Sequence, residues 1–287
     1  MQCFNSNQGN LTFYVKERRM TGIIFPDIDP IAVHIGASFG IRWYALAYLT
    51  GFLGGWLYAG HLADLDRDRR PNHEDIDNIL PLLVLGVILG GRIGYVLFYN
   101  FGYYLENPLR IPYIWEGGMS FHGGLLGVAA VCFVYAYRQK ISPLALGDIL
   151  ATVAPIGLFF GRIANFINGE LYGRITTVSW AVIFPNGGGL PRHPSQLYEA
   201  FLEGLCLFVV LFFAARNPVL RRTTGLLFGI FVAGYGLSRF IIEFYREPDP
   251  QVGLILQYFS LGQLLSLPMF FAGIYLIHYA RKSKKAA

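Results

Sequence analysis

Apolar residues fall in seven blocks along the chain, each near the ~20 residues that a bilayer core requires. The blocks lie at about 40–60, 78–99, 119–137, 145–163, 196–215, 224–243 and 258–280. Continuous apolar runs of this length predict membrane helices rather than amphipathic core helices. Between the fourth and fifth blocks, Val178-Ser179-Trp180-Ala181-Val182-Ile183-Phe184 is β-branched and aromatic, and Pro185-Asn186-Gly187-Gly188-Gly189 follows. That pattern predicts a strand and a turn. The expected fold is an all-α polytopic membrane protein, with seven transmembrane helices and a small extracytoplasmic cap between helices four and five.

Glycine punctuates the blocks at helical spacing. Gly86, Gly90 and Gly94 recur every four residues, and the pairs Gly51/Gly55, Gly123/Gly127 and Gly225/Gly229 repeat the interval. Such smooth faces let helices associate where lipid removes the hydrophobic drive. No long internal repeat is visible, which argues against an inverted-repeat transporter.

Composition agrees with the pattern. The 287 residues are 54% hydrophobic and 14% charged, with a mean hydropathy of +0.44. The net charge of +5 would suggest nucleic acid in a soluble chain, but here the cations sit in short loops that set topology. One set of loops holds Arg67, Arg69 and Arg70; Arg138 and Lys140; Arg216, Arg221 and Arg222; and Arg281, Lys282, Lys284 and Lys285. The opposite set holds Arg110, Arg174, Arg192 and Arg246. The positive-inside rule therefore puts the N-terminus outside and the C-terminus in the cytoplasm. Lys16, Arg18 and Arg19 run against this, and Met20 opens a more coherent sequence, so Met20 is the expected native start. Asn10-Leu11-Thr12 matches a glycosylation sequon of low specificity. The expected domains are an extension and outer-face arm at 1–37, a seven-helix catalytic domain at 38–280 with its cap at about 165–195, and a basic cytoplasmic tail at 281–287.

Cys3, Cys132 and Cys206 show neither a zinc spacing nor a disulfide framework. No metal or cofactor is expected.

The least membrane-like stretch is Gly161-Arg162-Ile163-Ala164-Asn165-Phe166-Ile167-Asn168-Gly169-Glu170-Leu171-Tyr172-Gly173-Arg174. An arginine at bilayer depth costs about 2.5–3.5 kcal/mol even on a lenient scale. Snorkelling accounts for one arginine, not for two asparagines and a glutamate beside it. Other polar residues converge on the same expected outer leaflet. Tyr44 starts helix one, and Arg92, Tyr95 and Tyr99 lie in the outer half of helix two. Ser120 and His122 open helix three. Arg162, Asn165, Asn168 and Glu170 end helix four. His193, Gln196, Tyr198 and Glu199 open helix five, and Tyr235, Arg239 and Glu243 end helix six, four residues apart and so on one face.

Each has a plainer reading when taken alone. His122 reads as a cap, Arg239 and Glu243 as one intrahelical ion pair, the tyrosines as belt aromatics, Asp148 as a cap of helix four, and Arg92 as a ligand of helix-end carbonyls. As a set they describe a phosphate site, because guanidinium forks match phosphate oxygens. At that depth the phosphate is a phospholipid headgroup, and a histidine or carboxylate beside it can move a proton. The residues thus describe a membrane enzyme or binder acting on an anionic phospholipid from the outer face. A transporter would place its polar groups at mid-membrane. An intramembrane protease would need a Ser–His pair or two aspartates within its helices, and Ser120 and His122 are too close in sequence to serve.

The stretch 161–174, with 117–124, Arg192-His193-Pro194-Ser195-Gln196-Leu197-Tyr198-Glu199 and Gly234-Tyr235-Gly236-Leu237-Ser238-Arg239 onward to Glu243 and Arg246, resembles the bacterial prolipoprotein diacylglyceryl transferases over about 22–280. The resemblance implies transfer of diacylglycerol from phosphatidylglycerol to the lipobox cysteine of a prolipoprotein, giving a thioether and glycerol phosphate. This is the first step of lipoprotein maturation, in the cytoplasmic membrane. It implies that Arg162 and Arg239 match the family's essential arginines and that His122 matches its proposed catalytic histidine. Tyr44, Asn165, Glu170, Gly173, Tyr235 and Glu243 match other functional positions, and His193 and Arg246 in the quoted motifs join them as candidate substrate contacts. The partners so implied are phosphatidylglycerol, the lipobox segment and membrane lipids, with no nucleic acid. The outer loop after Val178 is shorter than in some members, which bears on precursor recognition, and the first nineteen residues have no counterpart in the family.

Overall fold

Two glycine stripes meet face to face in the computed structural model, which describes residues 22–35, 39–247, 254–255 and 259–286. They belong to α2 (His73–Phe98) and to the antiparallel α4 (Phe121–Gln139). A Cβ added at Gly90 would lie 2.9 Å from Gly127 Cα, and one at Gly94 would lie 2.7 Å from Gly123 Cα. Only hydrogen fits between these backbones, as the spacing of Gly86, Gly90, Gly94, Gly123 and Gly127 predicts. α1 (Trp43–Asp64) packs on α5 (Pro143–Ile167) in the same way, where a Cβ at Gly51 would lie 2.9 Å from Gly157 Cα. α9 (Leu226–Ile242) packs along α10 (Leu261–Ala286), and Gly236 faces the Phe270 nitrogen.

Gly225 is an exception to the stripe. It sits at the N-terminus of α9 with φ +85° and serves the turn rather than a helix contact. Its amide donates to Asp148 Oδ2 at 2.6 Å, and the Phe228 amide donates to Oδ1 at 2.8 Å. Asp148 therefore does not cap its own helix, as the sequence suggests. It lies inside α5 and caps α9.

The fifth apolar block is one continuous helical rod with a widened middle. α6 (Ser195–Glu199) runs into a π-helical segment, Ala200–Cys206, then into α7 (Leu207–Arg216), and a single turn, α8 (Pro218–Arg221), follows. Among the described residues, five helical segments are long and apolar enough to cross a membrane: His73–Phe98, Phe121–Gln139, Pro143–Ile167, Ser195–Arg216 and Leu261–Lys284. α9 is a shorter apolar helix of 17 residues, and α1, at 22 residues, is not among the five. The architecture is that of a mostly helical polytopic membrane protein.

The turns between helices hold structure that the apolar pattern did not foretell. A hairpin of β2 (Ile31–Ile35) and β3 (Phe39–Arg42) leads into α1. A short α3 (Phe101–Glu106) and two 3-10 turns join α2 to α4. Arg92, 3% exposed within α2, donates to the carbonyls of Arg110, Ile111, Tyr113, Gly117 and Gly118. It ties this connection down, as the carbonyl reading anticipated. Ser120, not His122, caps α4, with its Oγ accepting from the Gly123 amide at 3.2 Å.

The expected strand over Val178–Phe184 shortens to β4 (Val182–Ile183). Residues 178–181 turn instead, with the Ala181 amide on the Val178 carbonyl at 3.1 Å. The turn lets Trp180 reach Tyr198 on α6, at 2.7 Å. β4 pairs with β5 (Pro191–Arg192) and, in parallel, with β1 (Ile23–Ile24). This small sheet thus draws a strand from the N-terminal arm as well as from the loop between α5 and α6.

At the other end of the bundle, loop cations that sequence reading assigned to topology are also knotted together. Arg221 and Arg222 both grip Asp66, at 2.6 and 2.7 Å. Arg70 pairs with Asp75. The hydrogen bond from Arg221, with help from Arg222, holds the Asp66 carboxyl below the usual 3.8. Cys3, the Asn10 sequon, Lys16, Arg18, Arg19 and Met20 lie outside the described residues.

Candidate active site

Five charged side chains meet where α5, α6, the π segment and α9 converge. Arg162 is near the C-terminal end of α5; Arg239 and Glu243 lie one turn apart at the end of α9. Glu199 ends α6, and Glu203 lies within the π segment. Arg162 Nη1 is 3.1 Å from Glu199 Oε2, and Arg162 Nη2 is 3.4 Å from Glu203 Oε2. Arg239 Nη1 is 2.6 Å from Glu199 Oε1 and 3.8 Å from Glu203 Oε1, and its Nη2 is 3.0 Å from Glu243 Oε2. One carboxylate therefore bridges both guanidiniums, an oxygen to each.

Local sequence explains how the cluster forms. Glu199 and Glu203 are four residues apart inside an apolar run, so both carboxylates point to one side. The π turn locally widens the helix around Glu203, and such bulges recur at functional sites. Gly204 lets this segment press on α5: a Cβ there would lie 2.8 Å from Phe159 Cα. Arg162 is the next α5 residue but two after Phe159, so the contact places it level with Glu203.

The charge balance is unusual. Both glutamates are 0% exposed at the side chain, and Arg162 and Arg239 are 18% and 14% exposed. Three carboxylates face two guanidiniums, leaving one formal negative charge. Glu199 Oε2, Glu203 Oε1 and Glu243 Oε2 are buried without an aligned hydrogen bond, so charge alone holds them. A buried ion pair that loses one member costs about 3–5 kcal/mol, so each charge here depends on its partners. The Tyr235 ring stacks on Phe231 at 5.9 Å, and its hydroxyl lies in the field of Glu203, Glu199 and both arginines.

A second group closes the end of α5. Asn165 Nδ2 donates to Glu170 Oε1 at 2.9 Å, and Asn168 Nδ2 approaches the same oxygen at 3.4 Å. Gln196 donates to the Glu170 carbonyl, and Ser195 Oγ to the Leu171 carbonyl at 3.0 Å. The N-terminus of α6 is thereby fixed to the turn that ends α5. On α1, Tyr44 and Tyr48 meet edge to face at 5.0 Å, and Tyr48 lies in the field of Arg162 and Glu170.

Beside them, Gly173 threads between two segments of the chain, around His193 and Tyr245. Its amide donates to the His193 carbonyl at 2.8 Å, and a Cβ would lie 2.7 Å from His193 Cβ. Gly173 also bridges to Arg246, whose carbonyl accepts from Arg174 Nε at 2.8 Å. Trp180 Nε1 donates to the Tyr198 hydroxyl, and the same oxygen lies 3.1 Å from His193 Nδ1. Burial pushes the His193 imidazole below its usual 6.5. Among the described residues no three His, Cys, Asp or Glu side chains converge as a metal site.

The geometry thus joins Arg162, Arg239, Glu243 and Tyr235 around Glu199 and Glu203. A family model described as prolipoprotein diacylglyceryl transferase matches residues 30–279. The chain belongs to the prolipoprotein diacylglyceryl transferase family. The phosphatidylglycerol--prolipoprotein diacylglyceryl transferase of Azospirillum brasilense is 56% identical over 269 residues, covering 93% of this chain and 100% of the relative. The enzyme so named from Rhodospirillum rubrum is 53% identical, covering 92% and 96%. The one from Idiomarina loihiensis is 51% identical, covering 90% and 95%.

In this member of the prolipoprotein diacylglyceryl transferase family, the expected site residues form three groups. Arg162, Arg239, Tyr235 and Glu243 share the charged cluster. Asn165 and Glu170 order the adjoining turn, with Tyr44 nearby through Tyr48. Gly173, His193 and Arg246 lie together in the polar layer beyond the helix ends. His122 stands apart: it is exposed, and its ring meets that of the adjacent Phe121 edge to face at 5.6 Å. Glu203 and the bridging role of Glu199 escaped the sequence reading, although two glutamates four apart inside an apolar block are themselves a signal.

Proposed function

We propose that this chain transfers the diacylglyceryl group of phosphatidylglycerol to the lipobox cysteine of prolipoproteins. Its relatives are named for that reaction and align over nearly their whole length. The observation that carries the site assignment is the Arg162–Glu199–Arg239 bridge, two forked cations set side by side at a low-dielectric helix end.

In this reading the precursor supplies the nucleophile. The thiolate is the reactive form of a group whose free pKa is about 8.5. It attacks the glyceryl carbon that bears the phosphate ester. The carbon–oxygen bond breaks, a thioether forms, and glycerol phosphate leaves with the bonding pair. Arg162 and Arg239 neutralise the charge that grows on the departing oxygen, the kind of preorganised stabilisation that contributes most to such steps. Because the glutamates already hold both forks, little reorganisation is needed when phosphate arrives. The thiol proton goes to His122, to a nearby carboxylate or to the phosphate itself. Tyr44, Asn165, Glu170, Gly173, Tyr235, Glu243, His193 and Arg246 line or shape the substrate region.

The same proposal includes seven membrane spans, with α1 and α9 completing the set, across a catalytic domain of residues 38–280. Residues 1–37 form an outer-face arm, and 281–287 a cytoplasmic tail. The asymmetry of loop cations supports an external N-terminus, an external cap at about 165–195 and a site opening outward, in the cytoplasmic membrane of a bacterium. The test is thioether formation on a lipobox peptide in phosphatidylglycerol vesicles, followed by mass spectrometry. A mass gain of one diacylglyceryl group is expected. Equal turnover in pure phosphatidylethanolamine would reject phosphatidylglycerol as the specific donor.

A further inference from the structure

The two arginines sit at one height because something far from them sets the register of α5 against α9. Asp148 lies on α5, and Arg162 comes fourteen positions later. Gly225 lies at the start of α9, and Arg239 also comes fourteen positions later. At 1.5 Å per residue, each arginine is ~21 Å along its helix from the point where Asp148 meets Gly225. α5 and α9 run in the same direction, both from the end that holds Asp148 to the end that holds Glu199. A contact that levels Asp148 with Gly225 therefore levels Arg162 with Arg239.

That contact is built to resist sliding. Asp148 is 5% exposed and uses both carboxylate oxygens, one on the Gly225 amide and one on the Phe228 amide. The N-terminus of a helix favours an anion there, through its free amides and its dipole. Arg69, from the loop between α1 and α2, holds the preceding residues from the other side. Its Nη1 donates to the Arg222 carbonyl at 2.9 Å, and its Nη2 reaches Thr224 Oγ1 at 3.1 Å. A slip of a single residue would move Arg239 by ~1.5 Å relative to Arg162, enough to break the shared grip on Glu199.

We infer that Asp148 is a positioning residue for the transfer reaction, setting the axial register of α5 and α9 so that Arg162 and Arg239 meet on one carboxylate. The inference rests on the proposed role of the arginine pair. Asp148 touches no substrate, and it acts through Arg239.

The test is a double-mutant cycle on purified, folded enzyme, with lipobox peptide and phosphatidylglycerol vesicles, well below the melting temperature. Asp148→Asn replaces one acceptor with a donor that opposes an amide. It is expected to lower kcat at least tenfold, with KM for the lipid changed less than threefold. In an Arg239→Lys background the same substitution is expected to cost less than threefold, because the group being positioned is already lost. A residue that merely stabilises the fold would lower the melting temperature and leave turnover of the folded fraction intact. Fully multiplicative losses, or wild-type turnover in Asp148→Asn while Arg239→Lys is impaired, would overturn the inference alone. Wild-type turnover in Arg239→Lys would overturn the arginine reading and this inference with it. Asp148→Ser, a short neutral cap acceptor, serves if the asparagine variant fails to fold. Failure of both to fold would assign Asp148 to stability and overturn the positioning role.

Discussion

Glu199 Oε1 lies 2.6 Å from Arg239 Nη1, and that contact crosses from the end of α6 to the end of α9. The other oxygen of the same carboxylate faces Arg162 on α5. Three helices that share no local sequence are joined by one side chain, and the expected effects of substitution follow from that geometry.

Arg162→Lys and Arg239→Lys are each expected to lose transferase activity while still inserting and folding. Lysine keeps the charge but offers a point donor instead of a fork. By analogy with the loss of one oxyanion donor, the cost is about 10²–10³ in rate. Turnover of purified, monodisperse variants with lipobox peptide checks this. If both lysine variants work at near-wild-type rates, the arginines only snorkel.

Glu199→Gln is expected to loosen both arginines at once. Arg162 keeps Glu203, and Arg239 keeps Glu243 at 3.0 Å and Glu203 at 3.8 Å. The protein should therefore fold, but with its forks misplaced. A displacement near 1 Å can cost about 10²-fold in rate, and that is the expected loss. Turnover beside a melting curve separates this outcome from simple unfolding.

His122→Gln is expected to retain lipid binding and lose about 10²–10⁴-fold in rate, the usual contribution of a general base. A variant within a few-fold of wild type at neutral pH would move the proton to the cluster carboxylates, Glu243 and Glu199 first.

Topology can be read by labelling single cysteines with a membrane-impermeant reagent. Asn186→Cys, exposed near the small sheet, is expected to label from outside, and Arg67→Cys, in the loop that follows α1, is expected to stay silent. The reverse pattern would place the arginine cluster on the cytoplasmic side. Gly187 is a poorer probe because it is buried against Phe184 and Arg192.

Asp66→Asn is expected to lower stability at neutral pH and to matter less in acid. Arg221 and Arg222 hold the folded Asp66 carboxyl below its ordinary 3.8. Its contribution is therefore whole above that value, and it is lost as pH falls through the lower folded value. Melting temperatures of the two proteins should converge below pH 3.8. A constant difference across that range would show that the aspartate acts through packing rather than charge.

By itself the sequence determined the helical blocks, since burial in lipid demands long apolar runs whatever their neighbours. It also determined which helices could touch closely, because only glycine leaves room for backbone contact at Gly90 and Gly123. The arginines, asparagines and glutamate of 162–170 stood out for the same reason, as polar groups where apolar ones are expected. Tertiary structure decided the partners. Nothing in the spacing of α5 says that Asp148 caps α9, or that Arg162 shares Glu199 with Arg239, because an ion pair between helices depends on their relative rotation and height. The same holds for the sheet, where β4 needed a neighbour and found β1, distant in the chain. Local periodicity fixes which face a residue lies on, whereas charge pairing, capping and sheet closure are settled only when the faces meet.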